Sequence, residues 1–250
     1  LIYIDPPFDV GADFSMDIEI GDSTFTKRPN ILEEIAYRDT WGRGADSFIA
    51  MIYERLIIMR DLLAQDGSIY VHCDWRVSSF IRLILDELFG SVNLQEEIIW
   101  RRSRSKLKAT STRLLTVNDY IFHYSKIDAK KIYNLIYWPY SEEYKARFNL
   151  KDENGLYYWA PIGTFSQERL EKLKAVGRVR ETPGRMPRIK NYLHEGKGVP
   201  PDNVWIDIDA VNSQALQDTG YATQKPEALL ERVISASSNE GDLIADFFAG

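Results

Sequence analysis

Two carboxylates, one near each end of the chain, sit where chemistry could be done. Asp5 closes the apolar run Leu1-Ile2-Tyr3-Ile4 and is followed by Pro6, Pro7 and Phe8. Proline carries no backbone N–H and restricts the residue before it, so a strand cannot continue through this pair. The turn leaves one carboxylate, carbonyls of fixed direction and one ring at the strand's end. An ordinary strand-ending turn would use the same residues. Asp246 lies in a second apolar run, residues 243–248, ahead of Ala249 and Gly250. Thr223-Gln224-Lys225-Pro226 precedes an apolar-periodic stretch and by itself reads as a cap before a helix. The single cysteine, Cys73, excludes an internal disulfide and suits a reducing compartment. His72, His123 and His194 are scattered, so no metal site is expected, and His72-Cys73 reads as strand packing.

These residues need elements to position them. Residues 1–5 read as a buried strand and 9–44 as a long loop rich in Gly, Asp and Thr. A helix is expected from Asp46, as N-cap, to about Ala64, because Phe48, Ile52, Leu56, Met59 and Leu63 recur at helical spacing. Asp66-Gly67 ends it. Residues 68–74 read as a second strand. A helix near 76–89 follows, with Phe80, Ile84 and Leu88 on one side and Gly90 as its stop. Residues 96–101 and 119–126 read as further strands. Residues 225–238 read as a helix with Pro226 first and Leu229, Leu230, Val233 and Ile234 on its apolar face. Residues 243–248 read as a last strand. Repeated strand–helix units predict a parallel sheet, in which ligands bind beyond the carboxyl ends of the strands. If the strands ending near Asp5 and Asp246 are neighbours, both acids face one crevice. Residues 130–215 lose the alternation and gain Gly, Pro, aromatics and cations, which marks an inserted module.

Charge is distributed unevenly. The net charge is −6, yet residues 1–97 hold 18 Asp/Glu against 8 Lys/Arg, while residues 169–197 hold 9 Lys/Arg against 3 Glu. Residues 100–113 carry six cations and no acid, among them Arg101, Arg102, Arg104 and Lys106. An acidic body with basic segments suits a polyanion ligand, although solvated loops also look this way. No apolar run approaches the roughly 18 residues that would span a bilayer, so no membrane partner is expected.

Taken together, Asp5-Pro6-Pro7-Phe8, Thr223-Gln224-Lys225-Pro226 and Asp246-Phe247-Phe248-Ala249-Gly250 resemble the motifs of bacterial amino-group DNA methyltransferases. They stand in the circularly permuted order of the beta group and are similar to those of type III modification subunits. Asp39-Thr40-Trp41, residues 67–72, Phe89-Gly90 and Tyr124-Ser125-Lys126 fit the same resemblance. It implies an α/β, Rossmann-like methyltransferase sheet with a catalytic half over 1–129, a target-recognition region over 130–215 and the start of a cofactor-binding half over 216–250. It also implies that the stretch is cut at both ends, and that alone it would be inactive.

The resemblance assigns roles residue by residue. S-adenosylmethionine is the implied cofactor, held by Asp246, Phe248, Gly250, Thr223, Gln224, Lys225 and Pro226. The N–H groups that open the helix after Pro226 would meet the cofactor's carboxylate. Asp5, Pro6, Pro7 and Phe8 form the catalytic set, acting on a base flipped out of double-stranded DNA. Arg178, Arg180, Arg185 and Arg188, with the cations of 100–113, are the implied DNA contacts. A restriction subunit and a second copy of the chain are the implied protein partners, in a bacterial cytoplasm and nucleoid. Aspartate before Pro-Pro favours adenine N6. Cytosine N4 is the near alternative, and a non-catalytic DNA-binding module of a restriction–modification system is the distant one.

Overall fold

The computed structural model describes residues 1–6, 16–20, 23–27, 45–102, 114–163, 165–211, 217, 219 and 224–249. Pro7, Phe8, Arg104, Lys106, Thr223 and Gly250 lie outside them. In chain order the elements begin with β1 (Ile2–Ile4), β2 (Met16–Ile20), β3 (Ser23–Lys27), α1 (Ala45–Leu62), β4 (Ser68–Cys73) and α2 (Ser78–Phe89). They continue with β5 (Leu94–Arg101), β6 (Asn118–Ser125), α3 (Glu142–Lys145), β7 (Leu150–Asp152) and β8 (Gly155–Pro161). The rest are α4 (Gln167–Ala175), β9 (Val179–Arg180), β10 (Arg188–Tyr192), β11 (Val204–Trp205) and α5 (Glu227–Ser237). Two compact units result: Leu1–Leu135 with Asp202–Gly250, and Ile136–Pro201.

The larger unit is built on a five-stranded sheet of order β1-β4-β6-β5-β11. β1 runs parallel to β4 and β11 parallel to β5, whereas β6 is antiparallel to both of its neighbours. The sheet is therefore mixed rather than parallel. β5 and β6 pair antiparallel, so the chain has reversed its direction between them. Residues 16–27, read from the sequence as loop, contain the hairpin β2–β3.

Side chains alternate across the strands, so the sheet has two different faces. On one face Ile2, Ile4, Ile69, Val71, Cys73, Phe122 and Tyr124 pack against α1 and α2 in a single core. α1 contributes Phe48, Ile52, Leu56, Met59 and the adjoining Leu63, the stripe its spacing predicts. It starts at Ala45, which puts Asp46 in the first turn rather than at the cap. α2 buries Ile81, Ile84, Leu85 and Phe89, and Phe80 is exposed. The buried stripe is thus turned by one position from the expected one, because Val77 docks in the core just ahead of the helix. Gly90, at φ 85°, ends α2 and donates its N–H to Asp86 O. The other sheet face carries Tyr3, Tyr70, His72, Asp119, His123 and Trp100, all buried. α5 meets it through Ser237, whose hydroxyl lies 2.7 Å from Tyr70 Oη. Leu229, Val233 and Ala236 are the buried apolar residues of α5, while Ile234 of the expected apolar face is exposed. The expected strand over 243–248 is reduced to one bridge at Ala245, and Leu243 and Phe247 are exposed. Among the described residues, pairing reaches this run from β1 and the preceding Leu1: Tyr3 N–H donates to Ala245 O and Ala245 N–H to Leu1 O, each at 3.0 Å, and the Leu1 ammonium donates to Leu243 O at 2.9 Å.

The smaller unit is a four-stranded antiparallel sheet of order β7-β8-β10-β9 with the short helices α3 and α4. It falls within the inserted stretch 130–215. Tyr157, Trp159, Arg180, Arg188, Lys190 and Tyr192 share one face by register. Lys190 Nζ lies 4.9 Å from the Tyr157 ring centre and Arg180 6.0 Å from that of Trp159.

Candidate active site

β1 ends at Ile4 because Pro6 cannot join a ladder, and this puts Asp5 at the sheet's carboxyl edge. The parallel bridge between Ile2 and Ala245 makes residue 246 the neighbour of that edge. Residues 241 positions apart in the chain thus bring two carboxylates to one place. Lys225, two residues ahead of α5, reaches the same place and forms an ion pair with Asp5 Oδ2. Pro6 is buried; its own ring fixes its φ, and a proline next in sequence restricts the ψ that aims its carbonyl. Asp246 keeps one side open to solvent. Loss of water on its other side raises its carboxyl above the usual range, against a hydrogen bond from Phe248 N–H at 2.9 Å. The negative charge of Asp5 raises it further, and the ammonium of Lys225 opposes this.

Behind Asp5 lies a buried polar cluster that the sequence reading did not anticipate. His72 sits on β4 beside the end of β1 and has no exposed surface. Its Nδ1 is 2.9 Å from Tyr3 Oη and 4.0 Å from Asp5 Oδ1. Its Nε2 is 3.3 Å from Asp119 Oδ2, and Arg102 Nε approaches the other oxygen of Asp119 at 3.4 Å. Burial, followed by the charges of Asp5, Asp246 and Asp119, holds the Tyr3 phenol well above its ordinary pKa, so it stays a donor. The one sequence signal for this cluster was an acid, Asp119, at the head of an otherwise apolar strand. Its partner could not be read without strand order.

The other expected site residues fall into distinct settings. Gln224 Oε1 accepts from Thr219 N and Oγ1 at 2.8 and 2.9 Å, which pins the approach to α5. The first N–H of α5, that of Glu227, is bound by Gln217 Oε1 at 2.9 Å, so this one does not face a ligand. Arg101 donates to Ile206 O at 2.9 Å. Arg178 is committed to its own unit: it grips both oxygens of Glu195 at 2.7 and 2.6 Å and donates to Lys190 O. Arg180, Arg185 and Arg188 are exposed. Among the described residues no group of His, Cys, Asp and Glu could hold a metal ion, and no helix is long and apolar enough to cross a membrane.

The N6/N4 methyltransferase family model, described as DNA methylase, matches residues 1–250. The chain belongs to this family. Its sheet is accordingly the Rossmann-like α/β sheet of these methylases. Type II methyltransferase M.EcaI of Enterobacter cloacae is 30% identical over 275 residues, which covers 100% of this chain and 57% of that protein. The StyLTI Mod subunit of a type III restriction–modification enzyme from Salmonella typhimurium is 24% identical over 100% of this chain and 44% of that protein. DNA adenine methyltransferase YhdJ of Escherichia coli K12 is 28% identical over 100% of this chain and 64% of its own length. The chain thus spans about half the length of the first two relatives.

The donor set suits the methionine end of S-adenosylmethionine, which carries one ammonium and one carboxylate. Asp246, an acid short of solvation, matches the ammonium. Lys225 matches the carboxylate. A glycine at 250 would permit close backbone approach, but it lies outside the described residues.

Proposed function

We propose that the protein transfers a methyl group from S-adenosylmethionine to the N6 amino group of adenine in DNA. The observation that carries this is the meeting of Asp5, Pro6 and Asp246 at the carboxyl edge of two adjacent parallel segments. An exocyclic amino nitrogen is a poor nucleophile because its lone pair is delocalised into the ring. Asp5 and the Pro6 carbonyl would each accept one N–H, favouring a pyramidal nitrogen whose lone pair is free to react. Positive charge develops on that nitrogen as the new bond forms, and the Asp5 carboxylate stabilises it. Holding the amino group in this geometry supplies the rest of the catalysis. S-adenosylmethionine supplies an electrophilic methyl carbon when bound, with Asp246 and Lys225 as its holders. The amino group is inside the stack of a duplex, so the base must leave it, and Phe8 is the ring proposed to receive it.

Aspartate before Pro-Pro supports adenine over cytosine N4, as does the match to a relative that bears an adenine specificity in its name. The match to a Mod subunit supports a restriction subunit as partner. Residues 136–201, with exposed Arg180, Arg185 and Arg188, are proposed to carry the DNA-reading surface. The test is digestion of incubated DNA to nucleosides and mass spectrometry, with Asp5→Ala as control. N6-methyladenine that falls by at least ~10²-fold in the variant is the expected result. N4-methylcytosine would keep the mechanism and move the substrate. Intact DNA binding with no methylated base would overturn the reading in favour of a binding module.

A further inference from the structure

His72 belongs to none of the motifs that touch a substrate, yet it is the most enclosed titratable ring near the site. Its hydrogen bonds define its state. An ionised Asp119 only accepts, so the proton of a neutral ring sits on Nε2 and points at Asp119 Oδ2, 3.3 Å away. Nδ1 then has a lone pair and accepts the Tyr3 O–H at 2.9 Å. A buried carboxylate that fixes the tautomer of an imidazole is a familiar device for aiming its second nitrogen. Here the second nitrogen takes the Tyr3 hydroxyl and stands 4.0 Å from an oxygen of Asp5. Asp5 Oδ1 is 4.0 Å from Nδ1, is sealed from solvent and has no hydrogen-bond partner. An unpartnered buried carboxylate oxygen is costly, so it needs a role.

We propose that His72 is a positioning residue for Asp5, and that its protonation state sets how much negative charge Asp5 can offer the amino group. With a neutral ring, Tyr3 occupies Nδ1 and nothing donates to Asp5 Oδ1, so Lys225 at Oδ2 is the one cation drawing on the carboxylate among the described residues. With a protonated ring, Nδ1–H turns to Asp5 Oδ1, Tyr3 gives up its place, and the carboxylate is partly neutralised. The groups facing this ring are Tyr3 and Asp5 from β1 and its end, and Asp119 from β6 with Arg102 behind it. Lys225 and Asp246 act on it through Asp5. The inference rests on the methyl-transfer reading of the site.

The test is the single-turnover methylation rate of the full-length protein across about pH 5 to 8, where imidazoles titrate. The wild type should lose rate as the pH falls. His72→Gln should lack this acid limb, and Asp119→Asn should move it to lower pH, because the imidazolium loses its counter-charge. Melting curves show whether each variant is folded. A purely structural role would lower the rate by one factor at every pH and leave the limb in place. A limb unchanged in both folded variants assigns it to Asp5 or Asp246 and overturns the inference. Nitrogen-15 NMR of labelled histidine decides independently of activity. A neutral-ring proton on Nε2 is expected, and one on Nδ1 would overturn the proposal even where methylation is intact. Absence of methylation by the wild type, with the Nε2 tautomer observed, would instead strike at the proposed function.

Discussion

At the scale of single residues, the site is decided by which charges face each other. Partial burial, with the nearby charge of Asp5, raises the Asp246 carboxyl above its usual range, and a bound ammonium would relieve it. Asp246→Asn should therefore weaken S-adenosylmethionine by about tenfold, or ~1.4 kcal/mol, as read by isothermal titration. The same variant should leave DNA affinity unchanged. His123 makes a different prediction. It stacks on Tyr70 with ring centres 4.1 Å apart, and burial, with a smaller push from Lys131, takes its pKa from 6.5 down to about 3. The folded state thus holds it neutral where an unfolded chain would protonate it. Its contribution is fully present above about pH 6.5 and is lost progressively as the pH falls toward about 3. His123→Phe should flatten the fall of the melting temperature between about pH 7 and pH 5, the upper part of that window. An unchanged slope would place the acid sensitivity elsewhere.

At the scale of elements, two close approaches hold the scaffold. Gly67 closes the turn after α1, and an added Cβ there would lie 3.0 Å from two carbons of Leu63 and 3.2 Å from Ala64 O. Gly67→Val should cost about 1–3 kcal/mol in chemical denaturation of the larger unit, an overpacking penalty. In the smaller unit Gly198 sits at φ +124°, and a Cβ would fall 2.2 Å from the carbonyl of Trp138, with which residue 199 is paired. A clash with a backbone carbonyl in a paired bridge cannot be relieved by a rotamer. α5 positions Lys225 by burying Leu229, which has no exposed surface. Leu229→Ala should cost about 2–5 kcal/mol and, by loosening the helix, lower methylation without touching the site. A stable but slow variant would separate the two effects.

At the scale of the whole molecule, the charges divide into structural and available ones. Arg178 is spent on Glu195, Lys190 and the face of Tyr192, 4.9 Å from its guanidinium. Arg180 and Arg188 stand exposed beside Trp159 on the sheet of the smaller unit. Arg178→Ala should thus lower the melting temperature. Arg180→Ala and Arg188→Ala should leave it alone and each reduce the slope of DNA affinity against salt by about one. Slopes unchanged in both would remove this face from the DNA-reading surface.

The sequence by itself determined most of the local elements and, through its motifs, the family to which the chain belongs. Periodicities of 3.6 and 2 report which side of a segment is apolar, so α1 with its five-residue stripe, β4 and β6 could be read from spacing alone. So could Asp5, because a proline pair after an apolar run leaves a carboxylate at a strand end wherever that strand lies. Tertiary structure decided the rest. The antiparallel insertion of β6 between β4 and β5 brings Asp119 to His72, and no local pattern encodes a strand's neighbours. Among the described residues, Ala245 pairs with Ile2 alone, so an apolar run that reads as a strand makes a single bridge there. Val77 docks ahead of α2 and turns Phe80 outward, although its spacing suits the core. Lys225, which reads as a helix cap, reaches Asp5 because α5 lies over the polar face of the sheet. Periodicity fixes a residue's orientation relative to its own element. Which polar side chains meet depends on the register between elements far apart in the chain, and only the folded packing sets that.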